Sequence, residues 1–401
     1  MHISRKIPKF VTQIIETMKI LFLTYHGFDP GSGISKKMLA QVKGLREAGH
    51  EVHICSYDKD ASGHHCRFVD DVVIQDYGRG KWGSLRQRLQ MGCIVDYCVR
   101  EGINLVYARS FMNASPVLIS LFSAFRRHGI LSVTEIPTFP YDQEFDSLPI
   151  KHKVNLFIDK LFRRQLAAQT DAMVTFSDAT RIFGQRTINI SNGVDLDSIP
   201  LHQRVDVSKE IHLIAVAEVH PWHGFDRMIA GLGEYYEKLK GLKGEKVFFH
   251  IVGDVWDSEM YGTRLAPGFA PIIQKYGIED KVIFHGKLFG QALDDVFRQC
   301  AFAVGSLARH RSGITSLKTL KNREYASRGI PFIYSECDSD FDHQPYVLKA
   351  PADESPVNVQ RIVEFIKSSD FEPAAIRQTV EHLSWKNQMQ KVIEELRIKS
   401  A

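Results

Sequence analysis

The chain has little with which to build a membrane span, a disulfide framework or a zinc site. None of its apolar runs reaches the roughly 18 residues that a bilayer-crossing helix needs. Its six cysteines stand apart, at positions 55, 66, 93, 98, 300 and 337. They form no C-x-x-C pair, and no His/Cys cluster has zinc spacing. His64-His65-Cys66 comes nearest and reads as a surface loop. Such cysteine usage belongs to a reduced, cytosolic protein. Net charge is scarce too. A formal +4 is too small to argue for a nucleic-acid partner. No short-period repeat or low-complexity tract is found.

What is present is enough for two cores. The 401 residues correspond to two or three domains, and an apolar content of 44% is ordinary for globular proteins. The charge is unevenly placed. Residues 1–195 carry 25 Lys/Arg against 19 Asp/Glu, and the remainder carries 26 against 28. A basic first half suits an anionic membrane or an anionic acceptor, although ordinary surface variation gives the same asymmetry. Residues 1–17 form a basic extension. They lack a small-residue cleavage site behind a long apolar core and so make a poor signal peptide. An upstream start and a short amphipathic helix lying on a membrane are the two readings of this extension.

Two α/β halves follow. In the first, strand Ile20–Thr24 leads through a Gly-rich turn into a helix expected over Lys36–Ala48, then into strand Glu51–Cys55. Further buried strands are expected at Val72–Ile74, Leu105–Tyr107, Leu131–Thr134 and Ala172–Phe176. The turn Ser191–Asp195 interrupts the pattern. The second half restarts with strand Ile211–Ala217, helix Phe225–Leu239 and strand Val247–Val252. It continues with helix Phe269–Tyr276, strands Val282–Phe284 and Ala301–Gly305, helix Thr319–Arg328 and strand Pro331–Tyr334. An amphipathic helix over Trp385–Ile398 closes the chain. Strands alternating with helices imply mostly parallel sheets with right-handed crossovers. The expected fold is therefore α/β, with two Rossmann-like domains and a cleft between them, where ligands are favoured. The expected boundaries are 18–195 for the first domain, 196–375 for the second and 376–401 for a C-terminal helical segment.

The most informative stretch is Glu324-Tyr325-Ala326-Ser327-Arg328-Gly329-Ile330-Pro331-Phe332-Ile333. It places one carboxylate, Glu324, near the start of a helix at the mouth of an α/β sheet, where open sheets bind ligands. A core helix followed by a core strand would give the same periodicity. The stretch resembles the nucleotide-sugar motif "E-A-x-A-x-G-x-P-V-I" of GT-B glycosyltransferases, particularly the retaining family 4. There the Glu holds the ribose of the donor. Two other segments match in order and spacing: Val252-Gly253-Asp254 resembles the "V-G-x-G" turn, and Phe284-His285-Gly286-Lys287 resembles the turn that lines the nucleobase. The run Trp222-His223-Gly224-Phe225-Asp226-Arg227 is similar to a "W-H-G-x-D-R" variant of bacterial polysaccharide glycosyltransferases. The resemblance covers Met18 to Ile398.

It implies a fold, a reaction and a site. The fold is GT-B, with the C-terminal helix crossing back to the first domain. The reaction moves a hexose-like sugar from a nucleoside-diphosphate-sugar to a glycan or polyprenol-linked acceptor, with retention, in cell-surface polysaccharide assembly. No cofactor and no metal ligand set is assigned. The donor contacts it implies are Gly31 and Gly33 in the first loop, then Gly253, Lys287, Arg311, Gly313, Thr315 and Glu324. His223, Lys321 and Glu135 are the catalytic candidates. His223 would donate a hydrogen bond to the diphosphate, more strongly when protonated. Lys321, one helical turn from Glu324, is the best cation for the pyrophosphate leaving group. Glu135 would project from a strand end into the cleft on the acceptor side, although a salt-bridged loop residue fits as well.

The chain departs from the family at two points. Glu218 stands where the family has a phosphate-gripping Arg, and Ser316 stands where it has the first Glu of an E-x7-E pair. These departures keep two alternatives open, an accessory subunit without turnover and a GT-B-shaped sugar-nucleotide epimerase. The basic amphipathic stretch Lys151–Arg164 suits a helix on an anionic leaflet. An ordinary surface helix with a core-facing stripe is the plainer explanation. The implied location is the cytoplasm, at the inner face of the cell membrane.

Overall fold

The computed structural model of the chain describes residues 17–29, 32–110, 113–145, 150–240, 242–254 and 268–398. The extension expected at 1–17 lies outside them, Thr17 excepted, and so does Gly31. The described strands form two sheets. The first contains β1 (Lys19–Leu23), β2 (Glu51–Lys59), β3 (His64–Val69), β4 (Val72–Arg79), β5 (Leu105–Arg109), β6 (Leu131–Ile136), β7 (Ala172–Thr175), β8 (Arg181–Ile182) and β9 (Gln185–Asn189). Their order is β4-β3-β2-β1-β5-β6-β7-β9-β8, parallel from β2 through to β9 and antiparallel at both edges. The second sheet contains β10 (Glu210–Val216), β11 (Lys246–Val252), β12 (Val282–Gly286), β13 (Phe302–Val304), β14 (Phe332–Tyr334) and β15 (Val347–Lys349). It is parallel throughout, in the order β12-β11-β10-β13-β14-β15.

The central strands are apolar on both faces because both faces are covered. Ile20, Leu21, Phe22 and Leu23 of β1 are all fully buried, and Ile20 sits in register with Val52 on one side and Leu105 on the other. In the second domain Ile211, Leu213 and Ala215 of β10 pack with the helix Phe225–Lys238, while Ile214 packs on the opposite face with Tyr325 and Phe332.

Three expectations need correction. Val72–Ile74 is no buried strand; it opens the edge strand β4, where Val72 is 66% exposed. His64-His65-Cys66 is no loop; it begins β3, pairs antiparallel with β2 and buries Cys66. The first helix begins at Gly33 rather than Lys36, because Ser32 caps it by accepting from the Ser35 amide.

The last helix, Trp385–Arg397, crosses back to the first domain as expected. Trp385, Met389, Val392, Ile393 and Leu396 share one core with Phe22, Met38, Val42 and Leu45. The crossing is close at Gly44, where a Cβ would lie 2.6 Å from the Trp385 carbonyl carbon. A polar seam also joins the domains. Arg323 is buried, pairs with Asp338 and Asp340, and donates to Ser191 Oγ at 2.9 Å. Ser191 in turn donates to Asp340 at 2.7 Å.

Candidate active site

The chain order turns at β10, which has β11 on one side and β13 on the other. Ligands of open α/β sheets bind beyond the carboxyl ends of strands at such a point. Three segments leave the sheet there. Ala217–Gly224 follows β10, Gly305–Ser316 follows β13 and Ser335–Asp342 follows β14.

The segment after β10 winds into a short turn, Pro221–His223. His223 is buried, and its Nδ1 accepts from the His220 backbone N–H at 2.9 Å. A ring nitrogen that accepts carries no proton, so the proton resides on Nε2. Burial, then Lys321 and Arg309, hold the His223 pKa well below the usual histidine range. The ring is therefore a neutral Nε2–H donor. The stronger, protonated donor is thereby disfavoured, and the neutral ring is the form available to donate. The turn is locked to its neighbour, since Leu307 N donates to His223 O and Ala308 N to Trp222 O.

Lys321 lies in the first turn of the helix Leu320–Arg328, and its Nζ is buried with no hydrogen-bond partner in the protein. The ammonium stands 6.0 Å from the centroid of the Phe225 ring. Burial and then Arg309 press its pKa down to about 7, against the opposing pull of Glu336. Glu336, two residues beyond β14, is 2% exposed, and neither carboxyl oxygen has a partner in the protein. Burial pushes its pKa up to about 7. Sequence reasoning missed this residue; its place just past a strand end at the ligand edge was the available signal.

Glu324 sits in the middle of its helix rather than near the start. Arg328, one turn later, donates to it at 3.0 Å, and both contacts fall on Oε1. Arg328 also holds Asp294 at 2.7 Å. Arg311 is no open cation. Its nitrogens donate to Asp226, Glu354 and the Pro221 carbonyl, bracing the two loops together. Lys287 pairs with Asp254 at 2.6 Å on the exposed rim. Gly253 has φ +128°, and a Cβ there would fall 1.7 Å from the Ala217 carbonyl oxygen. Only glycine lets the ends of β10 and β11 approach so closely.

Gly313 and Thr315 line a cavity of about 280 Å³ with Ile314, Ser316 and the first-domain residues Phe139, Pro140 and Ser177–Ala179. The cavity thus has one wall from each domain. Gly33 opens the first helix, and a Cβ on it would meet nothing within 4 Å.

Glu135 does not project into an open cleft. It is fully buried and accepts from Gln41 at 2.5 Å, Tyr107 at 2.6 Å and Arg109 at 2.9 Å, with Lys37 Nζ at 3.7 Å. Burial would raise its pKa; Lys37, Arg109 and the hydrogen bonds outweigh that and hold it below the usual range. Lys37 and Arg109 were not singled out in the sequence, because nothing local marks either as the partner of a residue on another strand.

Comparison with solved structures places this architecture. A sucrose-phosphate synthase from Thermosynechococcus elongatus superposes with a TM-score of 0.62 at 15% identity, over 96% of this chain and 99% of that one. The catalytic domain of starch synthase IV from Arabidopsis thaliana, bound to ADP and acarbose, gives 0.59 at 12% identity over 96% and 99%. The E. coli trehalose-6-phosphate protein bound with UDP-2-fluoro glucose gives 0.55 at 13% identity over 94% and 99%. The fold is GT-B. No protein-family model and no curated protein sequence matches the chain. At these identities the GT-B likeness is one of fold, and the site must speak for the chemistry.

Proposed function

We propose that the chain is a glycosyltransferase that moves a hexose-like sugar from a nucleoside-diphosphate-sugar to a glycan or polyprenol-linked acceptor. In this reading the transfer retains configuration, needs no metal and serves cell-surface polysaccharide assembly at the inner face of the membrane. Residues 18–195 form the acceptor domain and 196–375 the donor domain. The observation that carries the reading is the buried, partnerless ammonium of Lys321 at the chain-order turn of the second sheet, beside the neutral Nε2–H of His223. An uncompensated buried cation is costly. A diphosphate would compensate it, and the leaving group gains charge as the sugar bond breaks. Two structures of like fold are bound with ADP and UDP-2-fluoro glucose, which supports a nucleoside-diphosphate-sugar donor for this chain.

Roles follow from placement. Glu324 Oε2 accepts from a ribose hydroxyl while Arg328 fixes Oε1. The helix start at Gly33 offers amides to the diphosphate across the cleft. Gly313 and Thr315 line the sugar and acceptor cavity. Gly253 and Arg311 shape the loops, Lys287 stands at the rim, and Glu135 positions Lys37 and Arg109 from within.

The helix Ile150–Ala167 supports membrane contact. Ile150, Val154, Phe157, Ile158 and Leu161 lie on one stripe at helical spacing, and all are exposed, Ile150 by 80%. Lys151 flanks one side of the stripe; Lys153, Lys160 and Arg164 flank the other. The apolar stripe therefore faces outward, not toward the core. This arrangement suits an anionic leaflet.

The test is direct. Purified protein is incubated with UDP-, GDP-, ADP-, CMP- and TDP-sugars in EDTA, with a polyprenol-linked glycan as acceptor, and products are read by mass spectrometry and NMR. Transfer with retained anomeric configuration supports the proposal. Binding without turnover identifies an accessory subunit, an epimerised donor identifies an epimerase, and activity restored by Mg²⁺ or Mn²⁺ removes metal independence.

A further inference from the structure

Among the described residues, Glu336 is the carboxyl whose two oxygens are both buried with no hydrogen-bond partner, and it lies in the field of Lys321 and Arg309. The Lys321 Nζ is in the same condition. Leaving an ionisable group buried without a hydrogen-bond partner is costly, and here two of opposite charge type share one neighbourhood. Arg309 and Lys321 both act on the Glu336 carboxyl, and both act on His223. With two such cations beside it, a bound metal ion is a poor occupant. A neutral hydroxyl donor attached to an anion fits both groups at once: the hydroxyl satisfies the carboxyl, and the anion satisfies the ammonium.

Glu336 does not itself line the cavity between the domains, but the backbone of its neighbour Cys337 pairs with residues that do. Ser316 and Cys337 form a parallel bridge; Cys337 N donates to Thr315 O at 2.8 Å and Leu317 N to Cys337 O at 3.0 Å. Glu336 therefore runs alongside Thr315 and Ser316, which line the cavity between the domains. That wall offers only hydroxyls from its own side chains at these two positions.

We propose that Glu336 is a specificity-determining residue, whose carboxyl binds hydroxyls of the transferred sugar while Lys321 holds the diphosphate of the same donor. The assignment rests on the nucleotide-sugar reading above. It predicts that Glu336 distinguishes a sugar nucleotide from the bare nucleoside diphosphate, whereas Lys321 does not.

The experiment uses the full chain and the pairs UDP-glucose and UDP, GDP-mannose and GDP, and ADP-glucose and ADP. Calorimetry gives the affinity ratio within each pair for wild type, Glu336→Gln and Lys321→Met, with thermal melting to establish that each variant is folded. Glu336→Gln should lower the ratio of sugar nucleotide to nucleoside diphosphate roughly 10- to 100-fold in the best-bound pair, the scale of one or two hydrogen bonds to a charged acceptor. Its affinity for the bare diphosphate should stay within about threefold of wild type, one hydrogen bond being worth more than that. Lys321→Met should weaken both members alike. An unchanged ratio in a folded Glu336→Gln variant overturns the assignment, and so does equal loss of both members. Wild type that binds none of these nucleotides overturns the nucleotide-sugar reading itself, and this inference with it.

Discussion

Replacing Lys321 by Met should stabilise the protein while weakening its binding of donor. The magnitude follows from the buried ammonium. Its pKa falls from 10.5 to about 7. At roughly 1.4 kcal/mol per unit, keeping the charge in the fold costs on the order of 4–5 kcal/mol. The sign is fixed by the direction of the shift. Between about pH 7 and 10.5 the unfolded chain binds the proton and the folded chain does not, so stability rises with pH across that window. Lys37, also pressed down to about 7 by burial, adds a second slope of the same sign. Methionine has similar length, carries no charge and can pack near Phe225. Allowing for imperfect packing, Lys321→Met should gain about 2 kcal/mol at pH 7, or roughly 4–8 °C in Tm for a domain of this size. The rise of stability from pH 7 to 9.5 should shrink to the part that Lys37 contributes. Urea unfolding and thermal melting at half-unit pH intervals measure both effects. Donor diphosphate affinity should fall at least tenfold in the same variant, a trade of function for stability. An unchanged or lower Tm, with the full pH slope retained, would show that Lys321 carries no buried-charge cost in the fold.

Three further outcomes are expected. Gly253→Ala should destabilise by more than about 3 kcal/mol, because a Cβ meets the Ala217 carbonyl in a left-handed backbone; a melting temperature within 2–3 °C of wild type, roughly 1 kcal/mol, would contradict this. His223→Asn, whose side-chain oxygen can take the place of Nδ1, should keep most of the stability that His223→Ala loses, about 1–3 kcal/mol, and donor affinity should show no step from histidine protonation between about pH 5.5 and 8. Phe157→Asp with Leu161→Asp should abolish co-sedimentation with phosphatidylserine vesicles and leave Tm almost unchanged, since both side chains are exposed; vesicle binding that survives would remove the helix from the membrane contact.

The parallel sheets were readable because their strands are short apolar runs and their helices long enough for the 3.6-residue period to show. Helix Phe225–Lys238 and strand β11 lie within a residue of their expected bounds. The β3–β4 hairpin was not readable, because His64 and His65 look polar until Tyr57 and Asp76 are seen to bind them. At the site, local sequence showed which residues stand at strand ends but not what each meets. Glu324 was visible in its motif; the Arg328 clamp on Oε1 was not. Arg311 looked like an available cation because Asp226 and Glu354, which occupy it, are far away in sequence. The neutral state of His223 depends on its burial and on Lys321 and Arg309, and the depressed pKa of Lys321 on the burial of its Nζ and on Arg309. Such facts belong to tertiary packing, and no spacing rule carries them.

In the proposed function, the second domain holds a nucleoside diphosphate with Glu324 on its ribose. Isothermal titration of wild type and Glu324→Ala with UDP, GDP, ADP, CMP and TDP tests it most directly. At least one nucleoside diphosphate should bind wild type at one site per chain. Glu324→Ala should weaken that binding roughly tenfold to a hundredfold, the scale of one or two hydrogen bonds to a carboxylate. The folded state should barely change, because an i,i+4 pair with Arg328 is worth only about 0.2–0.5 kcal/mol. No binding by wild type, or equal affinity in the folded Glu324→Ala variant, would remove Glu324 from a nucleotide site.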